Sequence, residues 1–187
     1  MDEATLPAFL ARAALAGTQP ITVLEFLRRL RSEATTWVNA VRMQRSRLEP
    51  SLNRDPWEVE IDLHFLLVAL VRLERAVGRG AAEGNLASEI TPELKAFRTA
   101  IPGLRRMRDV SEHADEYNLS EGRRADVPRA QVQVWSMSNT TAGGLVWHWI
   151  GQQLDVDCAN EAATKLYSRF DAVLLPILGD SLRHSGG

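Results

Sequence analysis

The feature that most constrains this chain is the segment from Pro56 to about Val77. Wound as a helix, it is apolar around most of its circumference. Ile61, Leu63, Phe65, Leu66, Leu67, Val68, Ala69, Leu70, Val71 and Leu73 leave no polar stripe through its middle. A helix of that kind belongs at the centre of a bundle, because every face needs covering. It does not read as a membrane span. Its longest apolar stretch, Leu63 to Val71, includes His64 and is far shorter than the ~20 residues a bilayer requires. Asp55-Pro56 reads as an N-cap followed by proline at the first helical position, and Gly78-Arg79-Gly80 as the stop.

The neighbouring segments supply the cover. Residues 4–16 are Ala-rich and fit a short helix ended by Gly17 and Pro20. From Pro20 to Leu48, Val23, Phe26, Leu27, Leu30, Ala34, Trp37, Val38 and Val41 recur at three- and four-residue steps, one apolar stripe ended by Glu49-Pro50. Residues 78–90 are small and polar and read as a loop. Thr91-Pro92-Glu93 opens another helix. Pro102 kinks that helix or starts a new one, which runs to about Tyr117 or Leu119. Residues 120–129 read as a loop. Residues 131–138 alternate as a strand does, 145–150 are rich in β-formers, and the Asn139–Gly144 stretch between them fits a hairpin turn. A last helix, capped by Asp155 or Asp157, is expected to end near Leu175, before Pro176.

The predicted fold class is therefore all-α, a bundle of four to five helices with a β-hairpin inserted before the last long helix. A two-stranded hairpin is marginal alone and must lie on the bundle or on a partner. One domain is expected over residues 1–187. Residues 1–19 form an N-terminal extension, 131–150 the hairpin insertion and 179–187 a flexible tail.

Composition narrows the function classes. A net charge of −2 gives no bulk attraction to nucleic acid or anionic membrane, so any polyanion contact must be local. Twenty of the 22 basic residues are arginine. A single cysteine, Cys158, excludes an internal disulfide or a Cys-based zinc site, and fits a reducing cytoplasm with no membrane partner. No cofactor is expected. There is no phosphate-loop glycine motif and no Gly-x-Ser-x-Gly elbow. A metal set built from Asp62, His64, Asp109 and His113 lacks any Glu-x-x-His or His-x-x-x-His spacing.

Three of the four histidines fit ordinary roles: His184 in the tail, His148 partnered on a strand, and His64 hydrogen-bonded within the core. His113 differs in its company, because the segment Arg105–Tyr117 is dense in ionisable groups. On a continuous helix Asp109 and His113 stack four residues apart, so the carboxylate can hold the imidazole. Arg108 lies about 140° around the helix from His113 and can swing toward the same face. Arginine offers a fork of donors to phosphate oxygens, and histidine can move a proton to or from a hydroxyl. That is sufficient for metal-free cleavage of a phosphodiester whose nucleophile is the 2′-OH of RNA.

Arg108-Asp109-Val110-Ser111-Glu112-His113 resembles the Arg-x4-His signature of HEPN-like domains, helical bundles of which many are metal-independent ribonucleases of toxin–antitoxin and defence systems. The resemblance implies a catalytic pair, Arg108 and His113, with Asp109 as polar helper. It also implies a homodimer that brings two such motifs together, RNA as substrate, and a cognate antitoxin. In one branch of that family a tyrosine stands two residues after the histidine. Here Asp115 occupies that position, so tyrosine modification is not carried over. Two plainer readings stand beside the resemblance. Arg108–Glu112 and Asp109–His113 also fit ordinary i,i+4 ion pairs, and a HEPN-like chain can be a non-catalytic dimerisation or binding module. Trp135, Trp147 and Trp149 fit either base stacking or shielding of the bundle. The arginines of residues 28–47 fit either a phosphate track or a solvated surface.

Overall fold

Helix α2 (Pro56–Ala81) forms where the all-round apolar segment lies, and the rest of the molecule is laid against it. The computed structural model describes residues 22–48, 54–83, 86–119, 121–122, 126–140 and 144–183, with side chains as far as Gly179. The expected helix over residues 4–16, the Pro20 start, the Glu49-Pro50 stop, the middle of the hairpin turn and His184 lie outside the described residues. Seven helices and three strands are found among those described. Around α2 come α1 (Val23–Leu48), α3 (Ala87–Ala100), α4 (Leu104–Glu112), α5 (Ala114–Asn118), α6 (Arg129–Val132), β1 (Trp135–Asn139), β2 (Leu145–Trp149), β3 (Gln152–Asp155) and α7 (Val156–Arg183). The mainly helical expectation is met, with a small antiparallel sheet before the last helix.

Among the described residues helix α1 begins at Val23. The Thr22 hydroxyl accepts the Glu25 N–H at 3.2 Å and so satisfies a first-turn donor. Its stripe buries Leu27, Leu30, Ala34, Val38, Val41 and Leu48 against α2 and α7. Two of its arginines, which fit a solvated surface or a phosphate track by sequence, instead fasten α7. Arg31 donates to Asp171 at 2.6 Å and Arg45 to Asp157 at 2.8 Å. Thr35 and Tyr167 share a third bond, at 2.9 Å. At the other end of α1 the buried Asp62 carboxylate accepts from Arg54 at 2.7 Å, and Arg54 also donates to the Arg47 carbonyl.

Glycine and proline end fewer helices than their sequence positions suggest. Helix α2 runs through Gly78-Arg79-Gly80 to Ala81, and the expected loop over 78–90 shrinks because α3 already begins at Ala87, with Pro92 inside it. Gly80 is there for contact. A Cβ on it would stand 2.6 Å from the Phe170 ring, so its absence lets α7 close on α2. Pro176 likewise does not end α7, which continues to Arg183, into the expected tail. Burial of Leu174 and Leu178 on either side holds the turn that proline weakens.

The predicted hairpin gains a third strand. Residues 129–132 are helical, β1 pairs with β2 from Trp135↔Trp149 to Asn139↔Leu145, and β2 pairs with β3 from Val146↔Asp155 to Trp149↔Gln152. The β2–β3 turn is Ile150-Gly151, with φ of 47° and 71°. Two successive positive φ values match the right-handed twist of the strands, but turns of that kind usually carry Asn or Asp at the first position. Asp155 Oδ1 then accepts the Cys158 N–H at 2.9 Å and caps α7.

One polar group in the core is decisive for where the candidate site lies. Glu74 of α2, 2% exposed, accepts from Arg98 of α3 at 2.6 Å and from Arg105 of α4 at 2.6 and 3.2 Å. Burial pushes its carboxyl upward, but the two guanidinium groups outweigh burial and hold it below the ordinary range. Replacing it removes charged hydrogen bonds from two arginines, each more than half exposed. Glu74→Gln is expected to cost about 2 kcal/mol, a loss of roughly 4–8 °C in Tm for a chain of this size. A depressed folded-state pKa contributes stability above the unfolded-state value, and that stability is lost as pH falls through the folded value. The Tm gap between wild type and Glu74→Gln should therefore be full at neutral pH and narrow as pH drops below about 4.5. A gap independent of pH would contradict the ion pairs.

The two glycines near the end of α2 provide a paired test. A Cβ on Gly78 would have nothing within 4 Å, whereas one on Gly80 would meet Phe170. Gly78→Ala should stabilise by about 0.8–1 kcal/mol through helix propensity. Gly80→Ala should destabilise by about 1–3 kcal/mol through overpacking. Urea denaturation reads both, and equal shifts would refute the contact explanation.

Candidate functional site

The α3–α4 corner at Ile101-Pro102-Gly103 turns the chain back along α2, where α4 buries Leu104, Met107 and Val110. The residues between that stripe and solvent, Arg105, Arg108 and Asp109, meet Val71 and Arg75 of α2 around a hollow of about 240 Å³. Two of the three sequence-predicted site residues therefore share one hollow, with two further guanidinium groups that sequence spacing does not single out. Arg108 forms an ion pair with Glu112 one turn on. Arg105, held by Glu74, has its pKa raised by that bond.

His113 is placed differently from expectation. The helix does not run on to Tyr117. It breaks at His113, with φ −121° and ψ 28°, and restarts at Ala114. The Asp109–His113–Tyr117 row expected of a continuous helix is interrupted there. The half-buried imidazole meets Glu116, Nδ1 to Oε1 at 3.1 Å, so the carboxylate that orients it lies three residues after it. His113 is not among the residues lining the arginine hollow. No residue from Val110 to Glu116 is a helix breaker, which is why spacing alone does not reveal the interruption. Tyr117 is buried under Gly122.

The other two described histidines find partners. His148 Nε2 meets Ser138 Oγ at 2.7 Å across the sheet. His64 Nδ1 meets Ser111 Oγ of α4 at 2.6 Å, while its neighbour Asp62 serves Arg54. Among the described residues no group of three or more His, Cys, Asp or Glu could hold a metal ion, and no helix is long and apolar enough to cross a membrane.

The larger hollow, about 800 Å³, lies further along the same α2–α4 seam, toward the start of α2. Its aromatic walls are Trp57 and Phe65 of α2 and Trp147 and Trp149 of β2. The last two stack with centroids 5.1 Å apart and planes 11° from parallel. Strand alternation explains that pair, since residues two apart share a face. Trp149 donates its indole N–H to the Val132 carbonyl at 3.0 Å, whereas the buried Trp147 Nε1 has no partner among the described residues. The expectation that α2 is covered on every side fails here. Trp57, Ile61 and Phe65 are 60%, 46% and 51% exposed. Their four-residue spacing places them on one face, a signal present in the sequence but submerged in the surrounding apolar run.

No protein-family model, curated protein or solved structure matches the chain. The chemistry of these two hollows is therefore the ground for a functional reading.

Cys158 can be set aside as a nucleophile. It is exposed rather than part of the core, but partial burial of the thiol, then the charges of Asp155 and Glu161, raise its pKa. Because the thiolate is the reactive form, iodoacetamide should label it more slowly than free cysteine at about pH 7.5, with the gap closing as pH rises. Mass spectrometry over time measures this. Labelling faster than free cysteine would reverse the assignment.

Proposed function

We propose that the chain acts on RNA as a metal-independent endoribonuclease of the HEPN kind. The observation that supports this is the meeting of Arg75, Arg105, Arg108 and Asp109 around one hollow on the α2–α4 seam, beside the break that carries His113. Three guanidinium groups in one concavity suit the non-bridging oxygens of a phosphodiester. Arg108 clamps the phosphate, which competes with Glu112 for it. Glu116 on Nδ1 leaves His113 Nε2 as the nitrogen that moves protons. Nε2 takes the proton of the 2′-OH as that oxygen attacks phosphorus. The bond to the 5′-oxygen breaks, and the departing oxygen collects a proton from a second acid, leaving a 2′,3′-cyclic phosphate. Asp109 serves as polar helper at the hollow. The homodimer and cognate antitoxin implied by the resemblance belong to the same proposal, with the cytoplasm as its setting.

A second reading, a non-catalytic binding module, is favoured by one specific fact. Arg108 and His113 each already carry a carboxylate partner, Glu112 and Glu116. Cleavage of total RNA and tRNA in EDTA separates the two. Wild type should produce 2′,3′-cyclic ends, and His113→Ala should lower the rate by about 10²–10⁴-fold. Equal rates in the two proteins would remove His113 from the chemistry. Absence of cleavage in both would favour the module.

A further inference from the structure

We propose that the 800 Å³ hollow walled by Trp57, Phe65 and Trp147 is a nucleobase subsite, holding one base of a single strand whose phosphates lie on the arginine hollow. The inference rests on the RNA reading above only for the kind of strand that supplies the base.

Four observations converge on it. The volume lies in the range of small-molecule sites, and the walls combine aromatic faces with a few polar groups. Those polar groups suit a flat, heteroatom-rich ring better than an aliphatic chain. Gln133 Nε2 donates to Asn118 Oδ1 at 3.3 Å, which leaves the Asn118 amide N–H groups and the Gln133 carbonyl to offer, and the exposed Glu60 carboxylate at the α2 wall can accept from ring N–H or exocyclic amino groups. Second, the exposed Trp57 and Phe65 present ring faces on which a base can stack, an interaction tolerant of base identity. Third, Trp147 and Trp149, stacked with centroids 5.1 Å apart, close the inner wall with further aromatic surface.

The fourth observation is placement. Trp57, Ile61, His64, Val71 and Arg75 recur along one face of α2 at ~100° per residue, so both hollows open along one line. Their nearest lining residues are Asp109 and Ser111 on α4, and Val71 and Phe65 on α2. Those separations correspond to helix rises of about 3 and 9 Å. A short single strand can therefore place a base between the tryptophans while its neighbouring phosphates meet Arg105, Arg108 and Arg75. Arg75, which has no carboxylate partner among the described residues, gives the far end of the seam a cation to offer, so a strand carrying phosphates uses both ends where an apolar helix would use the aromatic one alone.

The test uses tetramers of 2′-deoxynucleotides, which lack the attacking hydroxyl and cannot be cleaved, so it is independent of nuclease activity. Binding of dA4, dC4 and dT4 is measured by calorimetry beside an abasic tetramer of equal charge. At least one base-bearing tetramer should bind about ten-fold more tightly than the abasic one. Trp57→Ala and Phe65→Ala, both at exposed positions and checked for unchanged Tm, should reduce that advantage to within about two-fold. Equal affinity for the abasic tetramer, unchanged affinity in both variants, or no binding below about 1 mM would overturn the subsite. A loss of self-association in Trp57→Ala with tetramer binding intact would overturn it in favour of a subunit contact. Failure of the nuclease reading would appear separately, as bound but uncut RNA.

Discussion

A buried carboxylate organises this molecule. Glu74 sits in the second half of α2 and accepts from Arg98 of α3 and Arg105 of α4, so one charge secures both arms of the α3–α4 corner to the central helix. An unpaired carboxylate at that depth would be costly, and its partners are therefore held in register. Leu104, Met107 and Val110 then have one way to bury their stripe, and Arg105 and Arg108 are left on the side where Arg75 emerges. The arginine hollow is a consequence of how the core charge is neutralised.

The long helices are legible in the sequence because burial and spacing agree in them. The stripe of α1, the Asp55-Pro56 start of α2 and the Asp155 cap of α7 each combine a local signal with a buried face. The departures from expectation share a cause, in that tertiary packing overrides a local signal. Gly80 looks like punctuation but is the point where Phe170 meets α2, and Pro176 is carried by buried leucines on both sides. Strand β3 is hidden because Gln152-Gln153 carries no strand pattern and Ile150 is an unusual residue for its turn. Only the packing of Ile150 beneath the sheet, where it is almost wholly buried, explains a branched side chain at positive φ.

The candidate site is half legible. Arg108 and Asp109 can be placed together from helical geometry, since adjacent residues on a regular helix keep their relation whatever surrounds them. His113 cannot, because the break at its own position belongs to no residue's propensity. The carboxylate found on its Nδ1 is Glu116, three residues after it. Arg75 is invisible for a different reason: it comes from another helix, and single-sequence spacing does not pair helices. The aromatic hollow is hidden by its own composition. Trp57, Ile61 and Phe65 look like core until the neighbouring elements are seen to leave that face uncovered.

Departures from local rules are unevenly distributed. In the second half of α2, apolar groups are covered, Glu74 is doubly paired and Gly80 fits its neighbour. Near the start of α2 and the sheet, large aromatics face solvent, the Trp147 N–H lacks an acceptor among the described residues, and Trp149 is followed by a left-handed Ile150. The buried Tyr117 hydroxyl, beside cavity-lining Asn118, is likewise unpartnered among them. Gln44 Oε1, Arg106 Nε and Asn160 Oδ1 are unpartnered among the described residues as well, and none of these three residues lines the aromatic hollow. Each departure costs free energy and no fold requires them to gather. Sequences tend to keep such costs where a site needs open aromatic faces and unsatisfied donors. The same helix thus has two unlike halves: one whose apolar groups are covered and whose charge is paired, and one whose aromatic face stays open.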